Sequence, residues 1–133
     1  MWGAGQTPAP KTHRLEATPE TVAYGYCWSK AKPVLRVASG DIIDVDTLLT
    51  NYPEGLARAG VPDEKIQASL KAVVSGITGD RRGPGEHILT GAVYVEGAEP
   101  GDALEVKILK RIRHPLFFRR AFGRSERTPG KAG

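Results

Sequence analysis

GPGEHILTGAVYVEGAEPGDALEVKI, from Gly83 to Ile108, is the stretch whose reading decides the fold. Apolar and polar residues alternate in two runs, His87–Glu96 and Ala103–Ile108, on either side of Gly97-Ala98-Glu99-Pro100-Gly101-Asp102. Proline fixes φ and glycine tolerates positive φ, so Glu-Pro-Gly-Asp predicts a turn joining two strands.

Upstream, the same signals recur. His13–Ala17 reads as a short first strand, and Thr18-Pro19-Glu20 starts a turn because the residue before proline is pushed out of the helical region. Thr21–Trp28 is dense in β-branched and aromatic residues and reads as a strand interrupted at Gly25. Pro33–Ala38 is a further strand, Ser39-Gly40-Asp41 a turn, and Ile42–Leu48 its expected hairpin partner. One helix stands out over about residues 63–75. Ile66, Leu70, Val73 and Val74 form a single stripe, Pro62, Asp63 and Glu64 suit its start, and Gly76 suits its end. Tyr52–Gly60 reads as a connection with room for a short helical turn, and Thr78–Glu86 as a loop. Five or six short strands with one helix predict a mainly β fold, a β-sandwich or jelly roll with one inserted α-helix.

Length and composition bound the function. A chain of 133 residues holds at most one domain, and 16 glycines with 10 prolines favour short strands and many turns. No apolar run approaches the roughly 20 residues of a membrane span, and the first residues lack the pattern of a secretory signal. The single cysteine, Cys27, excludes an internal disulfide and fits a reducing compartment, so a cytoplasmic location is expected. A pI near 9.4 suggests nucleic acid. From Lys107 to Lys131, however, nine Lys and Arg face one acid, Glu126, and the preceding residues are net acidic. The charge belongs to a tail rather than a patch, so neither nucleic acid nor membrane is an expected partner. The expected organisation is a flexible leader over residues 1–12, a β domain over 13–109 and a disordered basic tail over 110–133.

Several stretches resemble the acetamidase/formamidase family of amide hydrolases, in the same order. They are HRLEATPETVAYGY at His13–Tyr26, PVLRVASGDIIDVDTL at Pro33–Leu48, and the PGEHILTGAVYVEGAEPGDALEV run that ends at Val106. The resemblance covers His13–Leu109 and stops at the arginine-rich tail, KRIRHPLFFRRAFGRSERTPGKAG. It implies a β-rich body and hydrolysis of short linear amides such as formamide or acetamide to ammonia and a carboxylate. It also implies a divalent metal, zinc or calcium, and homo-oligomers. The family's glycine-rich and Asp-Gly-His motifs of its second half are not in this sequence, and Leu49-Thr50-Asn51 stands where many relatives carry histidines. The alternative expectation is therefore a truncated, inactive product acting as a binding or oligomerisation module.

Three residues are the candidates for chemistry. Asp44 and Asp46 are two apart and share one strand face, where like charges raise a pKa or bind a cation. Asp46, inside the matched motif, is the catalytic and metal-ligating candidate, while Asp41 reads as a turn residue. His87, beside Gly83-Pro84-Gly85, can ligate a metal, protonate a substrate or bond the loop backbone. Glu96 is the substrate-binding candidate, and Glu99 reads as an exposed turn residue. His13 reads as structural, His114 has no evident partner, and Cys27 reads as a small hydrophobe in a strand. Trp28, Tyr24 and Tyr26 read as core and rim aromatics. Gly83-Pro84-Gly85 lacks the ending of a phosphate loop, and no serine-hydrolase motif is present.

Overall fold

Three separate strand pairs carry the chain in the computed structural model, which describes residues 9–49 and 52–112. Strand β1 (Thr12–Leu15) runs parallel to β4 (Ile42–Val45), with Arg14 opposite Asp44. Strand β2 (Val22–Tyr24) is antiparallel to β5 (Ile88–Thr90), and β3 (Leu35–Val37) is parallel to β6 (Val93–Val95). Two α-helices are present, α1 (Pro53–Arg58) and α2 (Ala68–Gly76). The described residues are thus mostly β with some helix. No described helix is long and apolar enough to cross a membrane.

The pairing differs from the expected hairpins, for local reasons. The turn after β3 forms as read, with the Asp41 N–H donating to the Ala38 carbonyl. Its carboxylate also accepts the backbone N–H groups of Ala38 and Lys11. Lys11 immediately precedes β1, and the Ile42 N–H donates to its carbonyl. The turn therefore delivers β4 alongside β1 rather than back along β3. The His87–Glu96 run breaks at Gly91-Ala92, where Gly91 N–H donates to Thr21 and the Ala92 carbonyl accepts from Val34. That split sends β5 to β2 and β6 to β3.

The turn at residues 99–102 also forms, with Asp102 N–H on the Glu99 carbonyl and Glu99 N–H on the Asp102 carboxylate. The strand expected after it does not. Ala103–Ile112 forms no element and is exposed throughout. The chain divides into two units between Asp102 and Ala103, and this segment begins the second. Residues 1–8 of the leader and 113–133 of the tail, including His114, lie outside the described residues, as do Thr50 and Asn51.

The single helix expected over about 63–75 is two pieces. Asp63–Lys65 is one 3-10 turn, Ile66 is extended, Gln67 is non-helical, and α2 starts at Ala68. Lys71 of α2 reaches back to both the carbonyl and the carboxylate of Asp63, at 2.9 and 2.7 Å, which folds that turn over the start of α2. The apolar stripe survives the break, because Ile66, Leu70 and Val73 are all buried. Helix α1 occupies the expected connection. Proline at its start, Glu54 in its first turn and Arg58 in its last satisfy the usual end preferences.

The core is small. Tyr24, Val73 and Ile77 form its buried centre, with Val22, Leu48, Val74 and Ile88 packed around them. Helix α2 is thereby held against the β2–β5 pair. Beyond Tyr24 the chain turns at Gly25, whose φ is +82°. A Cβ there would lie 2.5 Å from the Gly85 oxygen and 2.7 Å from that of Gly83. Three hydrogen bonds lock this crossing: Gly83 N–H to the Tyr24 carbonyl, Gly85 N–H to the Gly25 carbonyl, and Gly25 N–H to the His87 carbonyl. The Gly-Pro-Gly loop is a close-approach device, since only glycine lets two backbones come this near.

Candidate functional site

Strands β1 and β4 set Arg14 among acids. Their parallel register puts Arg14 opposite Asp44, and its guanidinium reaches Asp46 at 2.7 Å, Asp44 at 3.4 Å and Glu16 at 4.0 Å. Asp44 and Asp46 do share a face, and the cation that meets them is Arg14. The hydrogen bond to Asp46, with the charges of all three acids, raises the arginine pKa. The Asp46 carbonyl accepts the Thr90 hydroxyl, linking this pair to β5.

His87 lies just before β5, with an exposed residue surface, and its carbonyl holds Gly25. That bond is made by its main chain, to Gly25 rather than to the Gly83-Pro84-Gly85 loop. Glu96 follows β6, and its carboxylate takes the Arg36 guanidinium at 2.8 Å. Arg36 also stacks over Tyr94, 4.0 Å from the ring centre, and the Glu96 bond is the main cause of its raised pKa. Asp46 and Glu96 are thus each held by an arginine, on different strand pairs.

A divalent metal is a poor fit to this arrangement. A cation at Asp46 would have to displace Arg14, and the described residues contain no cluster of three or more His, Cys, Asp or Glu side chains able to hold an ion.

Sequence reasoning missed two features. The first is the His13–Asp41 contact, Nε2 to Oδ2 at 2.8 Å. With the Lys11 and Ala38 N–H groups it gives Asp41 three donors, and these hold its carboxyl down at about 2. The turn signal at Ser39-Gly40-Asp41 was visible, but the long-range partner was not.

The second is an open cleft of about 550 Å³. Its walls include Tyr26, Cys27, Trp28, Val34, Leu89 and Thr90. Its lining is mixed, with Glu20, Lys32 and Arg81 among apolar side chains. Arg81 is anchored there by the Pro19 carbonyl. Cys27, expected as a packed hydrophobe in a strand, is instead an exposed free thiol after β2 has ended. Tyr24 is a core aromatic, as read, and Tyr26 and Trp28 are exposed on the rim. Asp46, His87 and Glu96 do not line the cleft. No protein-family model matches this chain, and no curated protein matches it.

Proposed function

We propose that this chain is the N-terminal part of an acetamidase/formamidase-type amide hydrolase acting on short linear amides. One observation carries the reading. Among the described residues, five of the six strands lie within the segments that resemble the family and β1 begins one residue before the first of them, and each pairs with another of these six. Segments matched at separate places in the sequence are thus partners in space, as pieces of one ancestral β body would be. The architecture belonging to this reading is a β-sandwich or jelly roll.

The reaction adds water to the amide carbonyl, after which the carbon–nitrogen bond breaks and the nitrogen leaves, protonated, as ammonia beside a carboxylate. His87 is the proposed proton carrier, Asp46 the carboxylate that orients water, and Glu96 the substrate-binding group. Asp46 reaches that role only when Arg14 swings away from it. The test is steady-state ammonia release from formamide and acetamide, with His87→Ala and Asp46→Ala beside the parent chain. Turnover lost in both variants supports the roles. Turnover equal in all three contradicts them.

A second reading, a binding or assembly module without turnover, is favoured by the two arginine pairs that occupy Asp46 and Glu96. Folded protein that releases no ammonia from either amide selects it.

A further inference from the structure

Exposed apolar side chains converge on the open cleft. Tyr26, Trp28, Val34 and Leu89 are all large hydrophobic residues left exposed, and all of them line it. Scattered singly, such residues are ordinary; gathered in one hollow, they mark surface that something covers. At about 550 Å³ the cleft falls within the roughly 300–1,000 Å³ of small-molecule pockets. Its lining residues all fall between Pro19 and Ala92, so it belongs to the first unit alone.

The polar groups on its walls decide what kind of molecule complements it. Lys32 and Arg81 stand there with one acid, Glu20. Arg81 is pinned by the Pro19 carbonyl, whereas the Lys32 ammonium enters no hydrogen bond or ion pair with the described residues. The Trp28 indole N–H and the Tyr26 hydroxyl have no protein partner among the described residues either. The Thr90 hydroxyl already donates to the Asp46 carbonyl. The side-chain groups left over are therefore mainly donors, with a positive balance of charge, set among aromatic and aliphatic surfaces. An anion with acceptor oxygens satisfies those donors, and a flat apolar body covers the rings and the aliphatic side chains. Formate and acetate supply the charge without the body. A neutral hydrocarbon supplies the body and leaves the cations unmet, and a cationic ligand would face Lys32 and Arg81 with Glu20 alone in its favour.

The geometry points to this cleft as a binding site for an organic carboxylate with a flat aromatic body, its carboxylate held by Lys32 and Arg81 and its ring by Tyr26 and Trp28. The inference does not rest on the amidase reading, whose candidates Asp46, His87 and Glu96 lie outside the cleft.

Naphthoate is the probe, titrated into the isotope-labelled full chain at neutral pH and followed by proton–nitrogen NMR. The indole N–H signal of Trp28, assigned by its loss in Trp28→Phe, should shift saturably and so report the Kd. Naphthylmethanol and naphthylmethylammonium should bind more weakly than naphthoate, and acetate should leave the signal in place. Lys32→Gln should weaken naphthoate by about threefold without changing the alcohol, and Glu20→Gln should tighten naphthoate by about threefold. Both positions are exposed, and a gain in affinity cannot come from misfolding. No shift at Trp28, preference for the alcohol or the ammonium over the carboxylate, acetate binding as well as naphthoate, or naphthoate affinity indifferent to both substitutions would each overturn the proposal.

Discussion

Replacing Gly25 by alanine challenges the crossing of the Tyr24-Gly25 segment over the Gly83–Gly85 loop. Two costs arise. A non-glycine residue at φ +82° costs about 1–2 kcal/mol. The new Cβ would also sit 2.5 Å from the Gly85 oxygen and 2.7 Å from that of Gly83, and both are backbone atoms that no side-chain rotation relieves. Moving the strands apart gives up the three hydrogen bonds of the crossing, each contributing roughly 0.5–1.5 kcal/mol. The sum is about 3–6 kcal/mol, a large share of the 5–15 kcal/mol typical of a domain. With a urea slope of roughly 1–3 kcal/mol per molar, the unfolding midpoint should fall by about 2 M. Gly40→Ala is the control. Gly40 has φ +90° but nothing within 4 Å of the added methyl, so only the conformational cost of about 1–2 kcal/mol applies there. Urea melts followed by circular dichroism compare the two. Equal midpoints for Gly25→Ala and Gly40→Ala would refute the close-approach argument.

Three further outcomes are expected. Leu70→Ala, at a fully buried position, should destabilise by about 2–5 kcal/mol in the same urea assay. Asp41 titrates near 2 when folded and near 3.9 when unfolded, so its stabilisation is complete above about pH 4 and is lost as pH falls towards 2. Urea midpoints measured across that window should fall for the parent chain, and Asp41→Asn should lower the plateau and flatten the slope. Cys27 should react with a thiol reagent in native buffer at a rate close to that in denaturant, because it is exposed. A strong protection in native buffer would contradict its placement.

Strand positions were legible because they rest on local chemistry. Val22–Tyr24, Leu35–Val37 and Ile42–Val45 each contain β-branched or aromatic residues, and the break at Gly25 falls where a glycine interrupts the run. Their partners were not legible, because pairing depends on contacts far apart in sequence. The Lys11–Asp41 bond, thirty residues across, redirected β4 to β1. The helix start was misplaced for a similar reason. Asp63 and Glu64 satisfy the rules for a first turn, yet the pull of Lys71 on Asp63 ends that turn before α2 begins. At the candidate site, the common face of Asp44 and Asp46 followed from strand alternation. That Arg14 would be their cation required the β1–β4 register, which no local pattern encodes. The cleft gathers residues from four separate stretches, so its aromatic rim was visible but its shape was not.

Direct detection of product tests the central claim most closely. Proton NMR of the purified, folded full chain incubated with formamide or acetamide, with zinc, with calcium and with neither, reads formate or acetate as it forms. The amide-hydrolase account predicts catalytic formation of the carboxylate in at least one condition, in step with ammonia. Folded protein that leaves both amides intact in every condition would contradict it.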